Sequence, residues 1–291
     1  MSATQAILSL VLATMVFSVA LDLRVADFRA VARTPRAVIA GLVPQFLLLP
    51  LATWGATLVL DLPPNIEAAA ILVAACPGGA LSNVVTHLGR GNTALSVSIS
   101  AAASVLAIVL TPLNFTWMVS TNPATAGWLR QLSIDASDIW ISLVVLLALP
   151  MILGMACAQR FPQATARIRK PLARASVGAL LLFIAAGLVR DRHLLTAALL
   201  PQLGLVAGQN ALGLALGWLG ASAFGARGRD RRAITIEGGM QNSGLALGII
   251  AVQFNADLGM VIIASLWGIW HIVSGLTLVA LWRRLDARAD A

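Results

Sequence analysis

The chain has 291 residues, of which 59% are hydrophobic and only 11% charged, and its mean hydropathy is +0.87. A soluble domain carries ~25% charged residues, so this composition excludes one and describes a polytopic membrane protein. The net charge of +8 would suit nucleic acid in a soluble chain. Here the charges lie between apolar runs, as membrane anchors do, and no nucleic-acid partner is expected.

A helix needs ~20 apolar residues to cross the hydrocarbon core. On that ruler nine spans are expected, near residues 3–22, 37–60, 66–87, 93–119, 138–158, 175–189, 194–224, 233–254 and 258–282, named A to I here, with F the shortest. The first run is too long for a cleavable signal and has no basic segment before it, so it is expected to remain as a span. Alternate segments between spans hold 17 and 3 of the 20 Lys and Arg residues. The rich set comprises Arg24, Arg29, Arg33 and Arg36; Arg90; Arg160, Arg167, Arg169, Lys170 and Arg174; Arg227, Arg229, Arg231 and Arg232; and Arg283, Arg284 and Arg288. The positive-inside rule makes that set cytoplasmic, with the N-terminus outside and the C-terminus inside. A wrong span count would scramble this alternation. With no Tyr in the chain, Trp128 and Trp282 are expected in the interfacial belt. Cys76 and Cys157 lie inside apolar runs and read as packing residues, not as a disulfide or a metal pair.

Polar residues interrupt these runs at a few places. Span B contains Pro44 and Gln45. Span C contains Cys76-Pro77-Gly78-Gly79, expected to end one half-helix, because Pro removes a donor and Gly permits almost any backbone geometry. Ser82 and Asn83 are good caps for the next half. Span D has Ser96, Ser98 and Ser100. Positions 96 and 100 share a helix face, suited to presenting two oxygens to a small hard cation, and serines bonding back to their own helix are the competing reading. The glycines at 204, 208, 213, 217 and 220 in span G read as a small-residue seam. Asn114-Phe115-Thr116 matches a glycosylation acceptor but sits at a membrane edge and is attributed to chance.

Span H holds the most costly residue. Glu237 to Ala246, EGGMQNSGLA, places a carboxylate, two glycines and Gln-Asn-Ser in an apolar run with no Lys or Arg to neutralise them. An acid near the bilayer centre costs roughly 2.5–3.5 kcal/mol on insertion scales and is kept mainly where it lines a pathway. The glycines are expected to let the backbone leave the helix, as in transporters that build a site from broken helices. A Gly-rich packing notch is the alternative, although packing alone does not ask for Glu237, Gln241 and Asn242 together. Span I contains His271 between tryptophans, either a satisfied structural residue or a ligand of the site.

Two echoes link the halves of the chain. Pro44-Gln45 in B corresponds to Pro201-Gln202 in G, and Gly78-Gly79 in C to Gly238-Gly239 in H, at offsets of 157 and 160 residues. Spans A to D therefore repeat as F to I in inverted topology. Span E has no counterpart, and a helix before Met1 would complete a five-plus-five plan.

Taken together, CPGGALSNVVTHLGRGNTALSVSIS from Cys76, EGGMQNSGLA from Glu237, PQF at 44–46 and WH at 270–271 resemble the signatures of the bile acid:sodium symporter family, bacterial branch, over about residues 1–283. The resemblance implies an all-α single transporter unit over 1–291 in the cytoplasmic (inner) membrane, working as a monomer. A panel part (3–22, 138–158, 175–189) would rock against a core part (37–119, 194–282), with broken spans C and H crossing at the midplane. It implies two sodium sites. One would use Ser82, Asn83, Ser96, Ser100 and Glu237; the other Gln45, Gln241, the Glu237 carboxylate and backbone carbonyls near Gly238 and Met240. Asn242 and His271 would face the substrate, with Ala80 and Ile272 beside them. Ser100 stands where relatives commonly have Thr and keeps the ligand oxygen. Ala80 and Ile272 replace positions that are often polar, which makes a borrowed substrate unsafe.

One carboxylate with two sodium ions leaves +1, which a monoanion would neutralise. The expected function is sodium-coupled import of an organic anion, of bile-acid or small carboxylate type, by alternating access. A proton-coupled or exporting transporter on the same scaffold is the alternative, and a membrane-embedded enzyme using His271, Glu237 or Cys76 the remote one, since no nucleophile and base stand at fixed reach.

Overall fold

The computed structural model describes residues 3–190 and 199–289, and among them no residue is in a strand. The elements in order are α1 (Ala3–Ala20), α2 (Val25–Arg33), α3 (Pro35–Val43), a π-helical turn (Pro44–Leu48), α4 (Leu49–Leu60), α5 (Pro64–Ala75), α6 (Ala80–Leu88), α7 (Thr93–Thr121) and α8 (Pro123–Gln131). They continue with α9 (Ala136–Arg160), α10 (Pro162–Arg190), α11 (Leu199–Ala223), α12 (Gly228–Gly239), α13 (Ser243–Gln253) and α14 (Leu258–Ala289).

Five of these helical runs are long and apolar enough to cross a membrane: Pro35–Leu60, Thr93–Thr121, Ala136–Arg160, Leu199–Ala223 and Leu258–Arg288. The pair α5 and α6, bent by 66° at its break, brings the number to six. The described residues thus reach five or six of the nine expected spans by length and composition. Span A is met by the shorter apolar stretch Ala6–Ala20. Span F forms the second part of α10, whose first part carries Arg167, Arg169, Lys170 and Arg174, so the expected loop between E and F is helix. Pro162 at its first turn starts that helix, where a missing N–H costs nothing. The start of span G at 194–198 and Arg192 lie outside the described residues.

Packing follows the apolar surface. Leu12, Ile71, Phe115, Leu143, Ile249 and Trp267 are fully buried in one cluster drawn from α1, α5, α7, α9, α13 and α14. On the outside, α9 exposes Ile141, Val145, Leu149 and Ile152, as a lipid-facing surface does. Helix α1 lies on α9 and α10, and α14 runs along α5, α11 and α13.

The contact of α11 with α12 depends on glycine. A Cβ on Gly213 would stand 2.7 Å from the Gly238 carbonyl oxygen, and one on Gly238 would stand 2.8 Å from that of Gly213. A side chain on Gly217 would likewise meet the Ile234 carbonyl at 2.9 Å, and one on Gly239 would strike Leu214. Close backbone approach is what small residues permit between membrane helices. The seam therefore holds for Gly213 and Gly217, and for Gly220 against Pro44, whereas Gly204 and Gly208 have nothing within 4 Å. Gly238 and Gly239 also correct an expectation. Helix α12 runs through both, and they serve as the packing notch; the backbone leaves the helix one residue later, at Met240 (φ −121°, ψ 107°).

Candidate functional site

The two interruptions meet. Helix α5 ends where Cys76 turns extended (φ −72°, ψ 152°), and α6 begins after Gly79 (φ −124°, ψ 169°). Ser82 and Asn83 are therefore inside α6 and do not cap it, because Pro77, Gly78 and Gly79 make the whole break. In the other break Asn242 caps α13, its side-chain oxygen accepting from the Leu245 N–H at 3.0 Å. The Asn242 N–H donates to the Pro77 carbonyl at 2.7 Å, so each break satisfies part of the other.

Beside this crossing lies Glu237, fully buried near the end of α12. Its Oε1 accepts from the Ser82 hydroxyl at 2.6 Å, from Ser96 at a shorter distance and from Ser100 at 3.2 Å; Ser100 is equally 3.2 Å from Oε2. The Asn83 side-chain oxygen lies 2.8 Å from the Ser96 hydroxyl and 3.3 Å from that of Ser100, and each hydroxyl has one proton to give, to Asn83 or to Glu237. Ser98 instead bonds back to the Ala94 carbonyl at 2.9 Å. The face argument thus separates the three serines: 96 and 100 point into the site and 98 into its own helix. Ion pairs among the described residues are Arg90–Asp286, Arg169–Asp22 and Arg232–Asp286, none of which involves Glu237. A buried carboxylate without a cation is costly unless its environment supplies one.

On the other side of Glu237 the groups converge on Gly78. A Cβ there would lie 2.8 Å from Gln45 Nε2, 2.9 Å from Glu237 Oε2 and 3.4 Å from the Met240 carbonyl oxygen. Gln45 Nε2 donates to the Glu237 carbonyl at 3.3 Å, while Gln45 Oε1 and both polar atoms of the Gln241 side chain are buried without a hydrogen-bond partner. Buried polar atoms left unpaired are the exception in folded proteins and call for a ligand or an ion. The donor set fits a hard cation, which takes oxygen ligands. Among the described residues no group of three or more His, Cys, Asp or Glu could hold a metal ion, so the candidate ligands are oxygens of one carboxylate, hydroxyls, amides and the backbone.

A crevice of about 550 Å³ opens beside the crossing. Its near wall contains Ala80, Gln241, Asn242, His271 and Ile272, and its far wall apolar residues of α1, α9 and α10, such as Met15, Leu147 and Leu180. Among its described lining residues there is no Lys or Arg. His271 Nδ1 stands 2.7 Å from the Trp267 carbonyl. A carbonyl only accepts, so Nδ1 carries a proton, and in the neutral ring Nε2 is then an acceptor.

Several residues of the site were not assigned to it from the sequence, and they share one role. Asn210 Nδ2 donates to the Gly239 carbonyl at 2.6 Å, at the end of α12. Thr111 donates to Ala75 at 2.7 Å, at the end of α5, and Asn114 to Phe46 at 2.7 Å, in the π-helical turn. Each meets a carbonyl that a helix interruption releases. Asn114 therefore has a structural duty. A signal existed: three interruptions need donors from elsewhere, and polar residues in apolar helices are where to look. Glu67 was also missed. It is buried, and it accepts from Asn122 at 2.9 Å and from the Leu62 N–H at 3.2 Å, apart from the crossing.

Interrupted helices that cross at a buried polar centre, beside a crevice in an apolar helical bundle, are how a membrane transporter builds its site. The profile of the Sodium Bile acid symporter family matches residues 9–198. The chain is similar to the uncharacterized sodium-dependent transporter YocS of Bacillus subtilis (strain 168), with 31% identity over 284 residues, covering 98% of this chain and 85% of the relative. It is similar to the probable sodium/metabolite cotransporter BASS1, chloroplastic, of Arabidopsis thaliana, with 30% identity over 89% of this chain and 62% of the relative. The sodium-dependent organic anion transporter of Rattus norvegicus shares 28% over 88% and 68%. The chain belongs to the Sodium Bile acid symporter family, and is accordingly a sodium-coupled transporter and not an enzyme.

Proposed function

We propose that the chain imports an organic monoanion with two sodium ions by alternating access, across a cytoplasmic membrane that it spans nine times with the N-terminus outside and the C-terminus inside. The observation that carries this is Glu237, a buried carboxylate held by three serine hydroxyls at the crossing of two broken helices, with no cationic side chain paired to it among the described residues. The first sodium takes Ser82, Asn83, Ser96, Ser100 and Glu237. The second takes Gln45, Gln241, the Glu237 carboxylate and the carbonyls near Gly238 and Met240, with the unpartnered oxygens of Gln45 and Gln241 in support.

Asn242, Ala80, His271 and Ile272 then face the anion, whose charge sits near the half-helix ends and whose body fills the apolar crevice. Spans A to D and F to I form inverted repeats. The panel of A, E and F rocks against the core. Net transfer of one positive charge inward per cycle couples uptake to the membrane potential, at ~2.3 kcal/mol per 100 mV.

The test is uptake of candidate organic anions, from small carboxylates to bile acids, into proteoliposomes with sodium replaced by potassium or choline. Uptake indifferent to sodium refutes the proposal. A carboxylate with no paired cation also suits a proton, so the same assay is run across pH; strong pH dependence with flat sodium dependence selects proton coupling.

A further inference from the structure

At the arginine-rich end of the molecule, a second cavity of about 760 Å³ is lined by His87, Arg90, Gly91, Gly228, Arg229, Arg232 and Asp286. It lies where the end of α6, the start of α12 and the last part of α14 come together, away from Glu237. Part of the charge around it has a structural purpose. Arg283 donates to the Leu88 carbonyl at 2.9 Å and Arg232 to that of Gly89 at 3.1 Å, which satisfies the end of α6. Arg232 also forms a forked ion pair with Asp286 and lies 5.3 Å above the Trp282 ring.

Arg90 and Arg229 are different. Arg90 reaches Asp286 only at 3.8 Å, and Arg229 reaches the Gly91 carbonyl only at 3.5 Å. Each guanidinium carries five N–H donors, so most of theirs have no partner among the described residues. Three arginines against one aspartate leave the cavity cationic. The backbone adds to this. Arg90 holds a left-handed conformation (φ 56°) at the end of α6, a position that glycine ordinarily fills. Helix α12 starts with Arg227 as a cap that makes no side-chain bond, and at Gly228 a Cβ would find open space.

We propose that this cavity binds a phosphate group, carried by an anionic phospholipid head group or free in solution. Forked guanidinium donors from two sides match tetrahedral phosphate oxygens, and basic pockets between membrane helices are suited to lipid head groups. A bound phosphate would tie the α6–α7 loop to α12 and α14, and so join the arginine-rich ends of both interrupted spans.

The test titrates the purified full chain in neutral detergent with dioctanoyl phosphatidic acid, with inorganic phosphate and with dioctanoyl phosphatidylcholine, read by native mass spectrometry and by melting temperature. Saturable binding of phosphatidic acid or phosphate is expected, weakened at least tenfold in Arg90→Ala/Arg229→Ala and unchanged in Arg283→Ala, outside the cavity. Should the double variant not fold, Arg90→Gln alone is expected to weaken binding at least threefold. Saturation by the lipid alone assigns a head group, and saturation by inorganic phosphate assigns free phosphate. No saturable binding of either, equal binding by the variants, or phosphatidylcholine binding as tightly as phosphatidic acid would overturn the proposal.

Discussion

The substitution Gly78→Ala tests the second cation site directly, because the methyl group would occupy the point on which Gln45 Nε2, Glu237 Oε2 and the Met240 carbonyl converge, at 2.8, 2.9 and 3.4 Å. Gln45 ends in a flexible amide and can yield, but Glu237 is held by serines and cannot turn away freely. Overpacking of this kind costs ~1–3 kcal/mol, so the melting temperature in choline should fall. The decisive quantity is the sodium-induced rise above that baseline. At sodium ten times its dissociation constant, each site contributes about 1.4 kcal/mol. Two sites give about 2.8 kcal/mol, or ~6–11 °C at 2–4 °C per kcal/mol. Gly78→Ala should keep about half of that rise and lose coupled uptake. Gly79→Ala is the control. Its Cβ would find Asn242 Cβ at 3.9 Å, an ordinary contact, and the loss of a glycine cap costs only about 1 kcal/mol. The sodium effect should survive there. A full sodium rise in Gly78→Ala with unchanged half-saturation, or an equal loss in Gly79→Ala, would refute the reasoning.

Glu237→Gln should abolish the sodium-induced rise entirely, since both sites share that carboxylate, while its melting temperature in choline should be at least as high as wild type because an unpaired buried charge is gone. Ser96→Ala removes a hydroxyl that faces Glu237, and the half-saturating sodium concentration should increase about tenfold or more. Ser98→Ala removes only a bond to Ala94 and should leave uptake within about twofold, which sodium titration of uptake would check. Glu67→Ala, measured in the same melts, should lower stability by ~1–3 kcal/mol through its lost bonds to Asn122 and Leu62 yet leave the sodium rise intact. Asn210→Leu frees the Gly239 carbonyl and should lower both stability and sodium affinity, by ~1–3 kcal/mol in the melt.

Much of this site was legible because it is expensive. A carboxylate in an apolar run, with Pro-Gly-Gly in one span and Gln-Asn-Ser in another, violates the rules of a membrane helix, and the structure brings those violations together. Serine spacing in span D was informative for the same reason: positions four apart share a face, and the odd one between them does not. The register of the second break was not legible. Gly238 and Gly239 look like hinge residues until α11 is placed against them, when close packing with Gly213 and Gly217 accounts for both. Whether a glycine is used for its flexibility or for its size depends on which backbone approaches it, and local propensity carries no information on that. The same limit hid Asn210 and Thr111, whose purpose exists only once another helix ends beside them. Ser82 and Asn83 were misjudged as caps because three break-prone residues preceded them, and the chain used all three.

The coupling proposed here follows from the two faces of one carboxylate. Glu237 Oε1 is met by Ser82 and Ser96, Oε2 lies beside Gly78, and Ser100 stands 3.2 Å from both oxygens, so the one carboxylate borders both candidate cation sites. With two sodium ions on one carboxylate, as proposed, an excess positive charge would stand next to a crevice that has no Lys or Arg among its described lining residues. On the proposed scheme the anion would be attracted by charge that sodium supplies, and not by a fixed cation that would hold it in the absence of sodium. A lysine or arginine in that crevice would bind the substrate more tightly and uncouple it. The Asn242–Pro77 bond would add the mechanical part, because it links the two breaks and so would join the proposed cation sites to the half-helix ends proposed to face the anion. On this reading, introducing Arg at Ala80 or Ile272 should raise anion affinity in choline and abolish the sodium dependence of binding. Binding still dependent on sodium in such a variant would mean that sodium acts by reshaping the crevice and not through its charge.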